Sequence, residues 1–289
     1  MLSVGSDRPV DPLTVAATRA IDDAARTLNL PYFLAGAMAR DILLTHVHGI
    51  DTGLATVDVD FGVAVAGWEE LEKIKAHLLA AGAFNAAEKT EHRLYYRPPG
   101  AATGYPVDII PFRGVETPEH TIAWPPEREI IMNVIGYEEV LATVEQVQIA
   151  EELTVPIASL PGLALLKLFA WKDRHAETSK DARDIAVLFR HYHAAGNQDR
   201  LFGEEMDLLE AADFNHDLAS PRLLGKDVRR IASPATLRAA ETLLNDGQMM
   251  DRLLTHMAPA FNTAEDNWAR AETALQQFKV GLLNIINTL

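Results

Sequence analysis

With 289 residues, 48% of them hydrophobic and 23% charged, the chain has the composition of a globular protein and room for one large domain or two ordinary ones. It contains no cysteine, which excludes disulfides, thiolate metal sites and cysteine nucleophiles, and no apolar run approaches the roughly 18 residues of a membrane helix. The formal net charge of −15 argues against a broad basic surface for gripping nucleic acid, though not against one small basic patch.

Met1 to Pro12 carries no basic segment followed by an apolar core, so no signal peptide is expected, and the cytoplasm is the expected compartment, with no membrane partner. From Asp11 to Leu28, Val15, Ala16, Ile21, Ala24, Ala25 and Leu28 recur at helical spacing. Pro31 to Ala35 predicts a short strand, Gly36 a tight turn, and Ala37 to Leu44 a helix opening directly out of it. Val57 to Ala66 alternates apolar residues against Asp58 and Asp60, the period of a half-buried strand, and Trp68 to Ala81 reads as a helix. His92 to Arg97 and Tyr105 to Phe112 are strand-like, with weaker strand candidates at Glu129 to Ile135 and Val144 to Ala150. From Ser159 the period is helical, through Leu160–Arg174, Ser179–Ala194 and several later segments. The expected fold is therefore α+β: an α/β domain with a mixed sheet over residues 1–155, then an all-helical domain over 156–289, divided near Pro156.

Three pieces of the first half carry chemistry. Residues two apart on a strand share a side, so Asp58 and Asp60 project together and repel unless a cation neutralises them; oxygen-only ligands of this kind suit Mg²⁺ or Mn²⁺. Alone, an Asp-x-Asp reads more readily as the acidic solvent face of an edge strand. Gly36 at a strand–helix junction lets backbone approach a ligand, and the helix N-terminus offers amides to a phosphate. Asp108 sits in the apolar run Tyr105-Pro106-Val107-Asp108-Ile109-Ile110 and calls for a partner, either a cation or hydrogen bonds. Beside the first acidic strand it completes a three-carboxylate cup for two cations about 4 Å apart, the arrangement used for in-line displacement at phosphorus.

Gly36-Ala37, Asp58-x-Asp60 and a lone strand Asp108, in that order, resemble the signature of the DNA polymerase β-type nucleotidyltransferases. Gly36-Ala37-Met38-Ala39-Arg40-Asp41 with Thr56 to Phe61 is especially similar to the form in tRNA CCA-adding enzymes and AbiEii/AbiGii-type toxin nucleotidyltransferases. That family usually has Gly or Ser where Ala37 stands, so a hydroxyl contact is lost while backbone donors remain. In the second half, Lys167 to Arg174 followed by Lys180-Asp181-Ala182-Arg183-Asp184-Ile185 resembles the toxin pattern of Lys, a downstream Asp-Arg and K-D-x-x-D. The resemblance covers roughly residues 30 to 190.

It implies an enzyme that moves an NMP from an NTP to an acceptor hydroxyl, with a tRNA 3′ end as a candidate acceptor and a cognate antitoxin as a candidate partner. Asp58, Asp60 and Asp108 would hold Mg²⁺ or Mn²⁺. Gly36, Ala37, Arg40, Lys167, Arg174 and Asp184 would bind the nucleotide, with Lys167 also catalytic; Lys167 and Arg174, seven apart on one helix face, would meet the triphosphate. Asp41 reads as a partner of Arg40. The alternatives are an inactive module of this fold, or transfer to a small molecule or a protein.

The remaining readings are plainer. His46/His48 and His191/His193 are spaced two apart, off any one helix face, so zinc is not expected. No G-x-S-x-G occurs at Ser159 or elsewhere, which disfavours a serine hydrolase. Trp171 reads as core, with base stacking as the alternative; Arg93 and Arg97 read as phosphate ligands or cross-strand ion pairs.

Overall fold

Asp11 accepts from the amides of Leu13 and Thr14 and so caps helix α1 (Pro12–Thr27), with proline at its first position where no N–H is needed. In the computed structural model, which describes residues 1–88, 90–261 and 266–284, this helix packs in the first of two units, Met1–Ser159; the second is Leu160–Leu289. The first unit is built on an eight-stranded mixed sheet: β1 (Leu2–Ser3), β2 (Tyr32–Ala35), β3 (Val59–Val65), β4 (Phe84–Ala86), β5 (Arg93–Tyr96), β6 (Tyr105–Arg113), β9 (Glu145–Ala150) and β10 (Leu153–Ile157). Strands β7 (Thr121–Ala123) and β8 (Ile131–Asn133) form a separate hairpin. The spatial order is β1-β9-β10-β2-β3-β6-β5-β4, with β3 parallel to β6 and antiparallel to β2. Helices α2 (Gly36–Asp41), α3 (Trp68–Ala80) and α4 (Tyr137–Ala142) complete the unit, α2 running on into a π-helical stretch, Ile42–Val47. Val59, Phe61, Val63, Val107, Ile109 and Phe112 are fully buried, so the central strands form the core.

The expected α+β class with a mixed sheet is the class observed. The boundary moves. Pro156 reads as a break because proline lacks an N–H, yet Leu153, Val155 and Ile157 alternate as buried residues and β10 enters the sheet, Ile157 pairing with Leu34. The units therefore part after Ser159 instead of after residue 155.

The second unit consists of helices: α5 (Leu160–Arg174), α6 (Lys180–His191), α7 (Gln198–Leu201), α8 (Met206–Glu210), α9 (His216–Ile231), α10 (Pro234–Leu244), α11 (Gly247–Met257) and α12 (Asn267–Leu283). Its axis of closest packing is α9 against α12, where backbones touch. A Cβ on Gly225 would run into the Phe278 carbonyl and lie 2.8 Å from the Leu282 nitrogen. One on Gly281 would run into the Arg222 carbonyl and lie 2.9 Å from the Lys226 nitrogen. Beside this contact lies a polar network around two buried acids: Tyr192 and Arg200 donate to Asp227, and Arg200, Lys226 and Arg230 surround Glu205. Among the described residues no helix is long and apolar enough to cross a membrane.

Gly281→Ala should force α9 and α12 apart and lower stability by about 1–3 kcal/mol, the usual cost of overpacking. Gly247→Ala, where a Cβ meets open space, should cost nothing. Calorimetric melting of the two variants beside the parent chain checks both.

Candidate active site

The turn between β2 and α2 brings the site together. Gly36 has φ +68°, a left-handed value that strains any residue with a Cβ. A Cβ there would also run into the Asp60 carboxylate, lying 2.7 Å from its Cγ. Glycine is thus required twice: for the turn, and because the Asp60 side chain fills the space beside it. Gly36 and Ala37 are both partly exposed, and the N-cap residue, Ala35, supplies no side-chain cap to the first-turn amides.

Sheet register then aligns four residues in one row. Ala35 pairs with Asp60 across β2 and β3, Asp60 with Asp108 across β3 and β6, and Asp108 with Arg93 across β6 and β5. Adjacent strands stand about 4.8 Å apart, so Asp60 and Asp108 are immediate neighbours. Asp58 precedes β3 by one residue; that stretch is not strand, and its carboxylate lies 3.8 Å from an Arg93 terminal nitrogen. The structure therefore sets Asp60 and Asp108 side by side on two interior strands, with Asp58 immediately before the first of them.

Asp108 is 6% exposed and meets the need for a partner through Arg93, whose Nε and terminal nitrogen each donate to one of its oxygens at 2.7 Å. Of the two expectations for Arg93, the ion pair is the one observed; Arg97 lies beyond β5 and is exposed. The hydrogen bonds to Asp108, with the charges of Asp108 and Asp58, outweigh burial and raise the Arg93 pKa. Among the described residues no group of three or more His, Asp or Glu is arranged to hold a metal ion. Both Asp108 oxygens face the guanidinium.

Two residues near these acids had no motif to mark them. The Tyr105 hydroxyl, at the start of β6, lies 2.9 Å from Thr14 Oγ1 on α1. Burial pushes the phenol pKa up, and the charges of Asp58, Asp11 and Asp60 add to that rise against the lowering effect of the hydrogen bond with Thr14.

Arg40, expected at the nucleotide, is 2% exposed and donates through Nε (2.8 Å) and a terminal nitrogen (2.6 Å) to Asp41. Thr56 Oγ1 donates to the other Asp41 oxygen at 2.6 Å. This cluster encloses the Arg40 guanidinium and ties α2 to the segment leading into Asp58.

In the helical unit, Lys167 lies 3.0 Å from Asp181 and 2.6 Å from Asp184, while Arg174 grips Asp181 through Nε at 2.7 Å. Burial alone would push Asp181 up, but the Lys167 charge and the Arg174 hydrogen bond hold it below the usual carboxylate range. Burial likewise lowers Lys167, and Asp184 and Asp181 outweigh it and raise its pKa. Asp181, which had not been singled out as a site residue, is the centre of this cluster. Arg174 is the half-exposed member. Trp171 is fully buried and donates to His256 Nδ1 at 3.1 Å, so it is core and no stacking platform.

Gly36→Ala should lower the melting temperature, and part of that loss should vanish in an Asp60→Ala background, because Asp60 supplies the clash; a double-mutant melting cycle reads the coupling. Lys167→Met removes the buried cation shared by Asp181 and Asp184, leaving Asp181 to Arg174, and should cost about 3–5 kcal/mol at neutral pH. With its folded pKa depressed, Asp181 contributes stability above the unfolded carboxylate value of about 3.9, lost as pH falls through the lower folded value. The gap between the parent and Lys167→Met in urea unfolding should therefore narrow toward acid pH.

Solved structures similar to this chain include an antigenic nucleotidyltransferase-like protein from Paracoccidioides brasiliensis, 18% identical, covering 72% of this chain and 93% of that one with a TM-score of 0.41. ANT(2")-Ia in complex with adenylyl-2"-tobramycin is 15% identical over 69% of this chain and 95% of its own, at 0.37. The Thermotoga maritima CCA-adding enzyme complexed with tRNA is 15% identical over 97% and 84%, at 0.26. No curated protein sequence matches. The model of the family described as "Nucleotidyl transferase AbiEii toxin, Type IV TA system" matches residues 32–277, and the chain belongs to that family of nucleotidyltransferases.

Proposed function

We propose that this nucleotidyltransferase transfers an NMP from an NTP to an acceptor hydroxyl at the site formed by Asp58, Asp60 and Asp108, with Mg²⁺ or Mn²⁺ as cofactor. The row of Ala35, Asp60, Asp108 and Arg93 beside the Gly36 turn carries this reading. The donor set suits a hard divalent cation: oxygen ligands only, and one of them, Asp108, already holding a positive group. Asp58 and Asp60 would hold the metal with Asp108, and the bound metal would supply charge neutralisation at the reacting phosphate.

The chain's own groups do the rest. The acceptor hydroxyl attacks the α-phosphorus, a new O–P bond forms, the α–β bridging bond breaks and pyrophosphate leaves. The hydroxyl proton passes to the carboxylates, with Asp108 as the group that orients the attacking oxygen. The Gly36 and Ala37 amides meet the negative phosphates at the helix start. Lys167 and Asp184 enter by resemblance to the family motif; Arg174, half-exposed, is the member of their cluster best able to reach an anionic ligand.

The acceptor proposed is a tRNA 3′ end, and the partner a cognate antitoxin, in the cytoplasm; the family's toxin–antitoxin description supports the partner. The net charge of −15 restricts RNA contact to a small area. The same charge favours a second reading, transfer to a cationic small molecule.

Incubation with each α-labelled NTP plus total RNA or lysate should label one acceptor class in the parent protein and none in Asp58→Ala. Labelled RNA supports the tRNA reading; label only in a small molecule or a protein replaces it. Absence of any transfer, together with no metal-dependent thermal shift with NTP, would sink the enzymatic reading in favour of an inactive binding module.

A further inference from the structure

We infer that the surface carrying Phe202 and Phe214 in the helical unit docks a basic, amphipathic segment of a partner protein. It uses none of the residues assigned to nucleotidyl transfer and does not depend on that reaction. The surface forms where α7, α8 and the start of α9 come together. Phe202 follows α7 and is 49% exposed; Phe214 stands between α8 and α9 and is 60% exposed. Phe202 lies edge-on to the His216 ring at 5.6 Å, and His216 lies against His193 at 5.4 Å, so the rings are continuous. Burial, with the charge of His216, lowers the His193 pKa and leaves that ring uncharged at neutral pH. Asp213 and Phe214 take left-handed φ values of +49° and +58°, unfavourable for residues with a Cβ. That turn carries the chain out of α8 with Ala212 buried and the Phe214 ring in solvent. A single exposed apolar side chain is ordinary, whereas adjoining aromatic ones with a polar rim mark an interaction surface.

Charge selects the occupant. Between Gln198 and Asp217 the chain has seven acids and one base, Arg200. Glu205 is buried in the network described above, Glu204 pairs with Arg200 at 3.3 Å, and Asp217 pairs with Arg270 at 2.7 Å. Asp199, Asp207, Glu210 and Asp213 are exposed and have no cation among the described residues. They frame the rings. Asp199 stands three residues before Phe202, Asp213 directly precedes Phe214, and Asp207 and Glu210 share a face of α8. These carboxylates repel an RNA or an anionic lipid surface. A second copy docked through the same face would set the same acids against one another. A segment that carries lysine or arginine beside large apolar side chains meets both features. Its apolar residues cover the phenyl rings, and its cations face the acidic rim, where they add selectivity and speed association. An amphipathic helix presents the two kinds of residue on opposite faces.

A short labelled peptide of leucine and lysine in amphipathic helical order is the probe, beside leucine–glutamate and serine–lysine peptides of the same length. Anisotropy reads their binding to the full chain. The parent should bind the leucine–lysine peptide, leave the leucine–glutamate peptide unbound, and bind the serine–lysine peptide about ten-fold more weakly. Phe202→Ser with Phe214→Ser should weaken leucine–lysine binding about ten-fold. Asp207→Asn, Glu210→Gln and Asp213→Asn together should weaken it by a similar factor and flatten its salt dependence. Glu119→Gln, Glu127→Gln and Glu129→Gln together remove three exposed acids of the first unit and should leave binding unchanged.

Equal losses in the two triple variants mean that charge alone attracts the peptide, and overturn the inference. Unchanged binding in the phenylalanine variant, or equal binding of the leucine–glutamate peptide, overturns it as well. Sedimentation of the parent as a dimer that the phenylalanine variant dissociates assigns the surface to a second copy and also overturns it. Should the phenylalanine variant not fold, hydrogen exchange of the parent decides. Protection by the leucine–lysine peptide confined to residues 193–217 supports the docking surface; protection elsewhere, or none, overturns it.

Discussion

Like charges gathered on neighbouring interior strands repel, and in the first unit that repulsion is offset without dispersing the charges. Parallel pairing of β3 with β6 sets Asp60 beside Asp108, and antiparallel pairing of β5 sets Arg93 on the far side of Asp108. Strand pairing is thus also charge pairing, and a slip of one residue would turn every side chain in the row to the other face. The glycine turn is subject to the same constraint. Asp60 stands where it does because position 36 has no side chain to contest the space.

The approach to Asp58 is held by a different device. Arg40, Asp41 and Thr56 form a buried hydrogen-bonded set that fastens the helix after the turn to the segment before β3. Such a set is stable only when every member is satisfied, and it fixes a backbone that has no strand ladder at Asp58 itself. The helical unit uses its charges in the same inward way. Lys167 and Arg174 hold Asp181 there, as Arg200 and Arg230 hold Asp227. Several of the protein's bases are thus spent on its own acids, which leaves a net charge of −15 with fewer cations for a polyanionic partner.

Much of the fold was legible along the chain. The period of α1, the strand–Gly36–helix junction, the alternation around Asp58 and Asp60 and the apolar run holding Asp108 are local patterns, and hydrophobic periodicity is a local property. The short β1, β4 and β7 had too few residues to show a period, and β10 was hidden by Pro156. The order of the motifs pointed to the family, since the signature is ordered spacing along one chain.

What the sequence could not hold was pairing. That Asp108 wanted a cation followed from one charged residue in an apolar strand; that Arg93 would be that cation depended on which strand lay beside it and in what register. Arg40 follows the glycine turn in the sequence, and only the fold encloses it against Asp41. Tyr105 carried no motif, and Asp181 lay in one without a role assigned to it; each acquired its place from a neighbour elsewhere in the chain, Thr14 in one case and Lys167 in the other. The sequence by itself determined which residues carry charge, the period of the longer elements and the family. The tertiary structure alone decided which charges meet, because burial and strand register are properties of contacts between segments that the linear order does not contain.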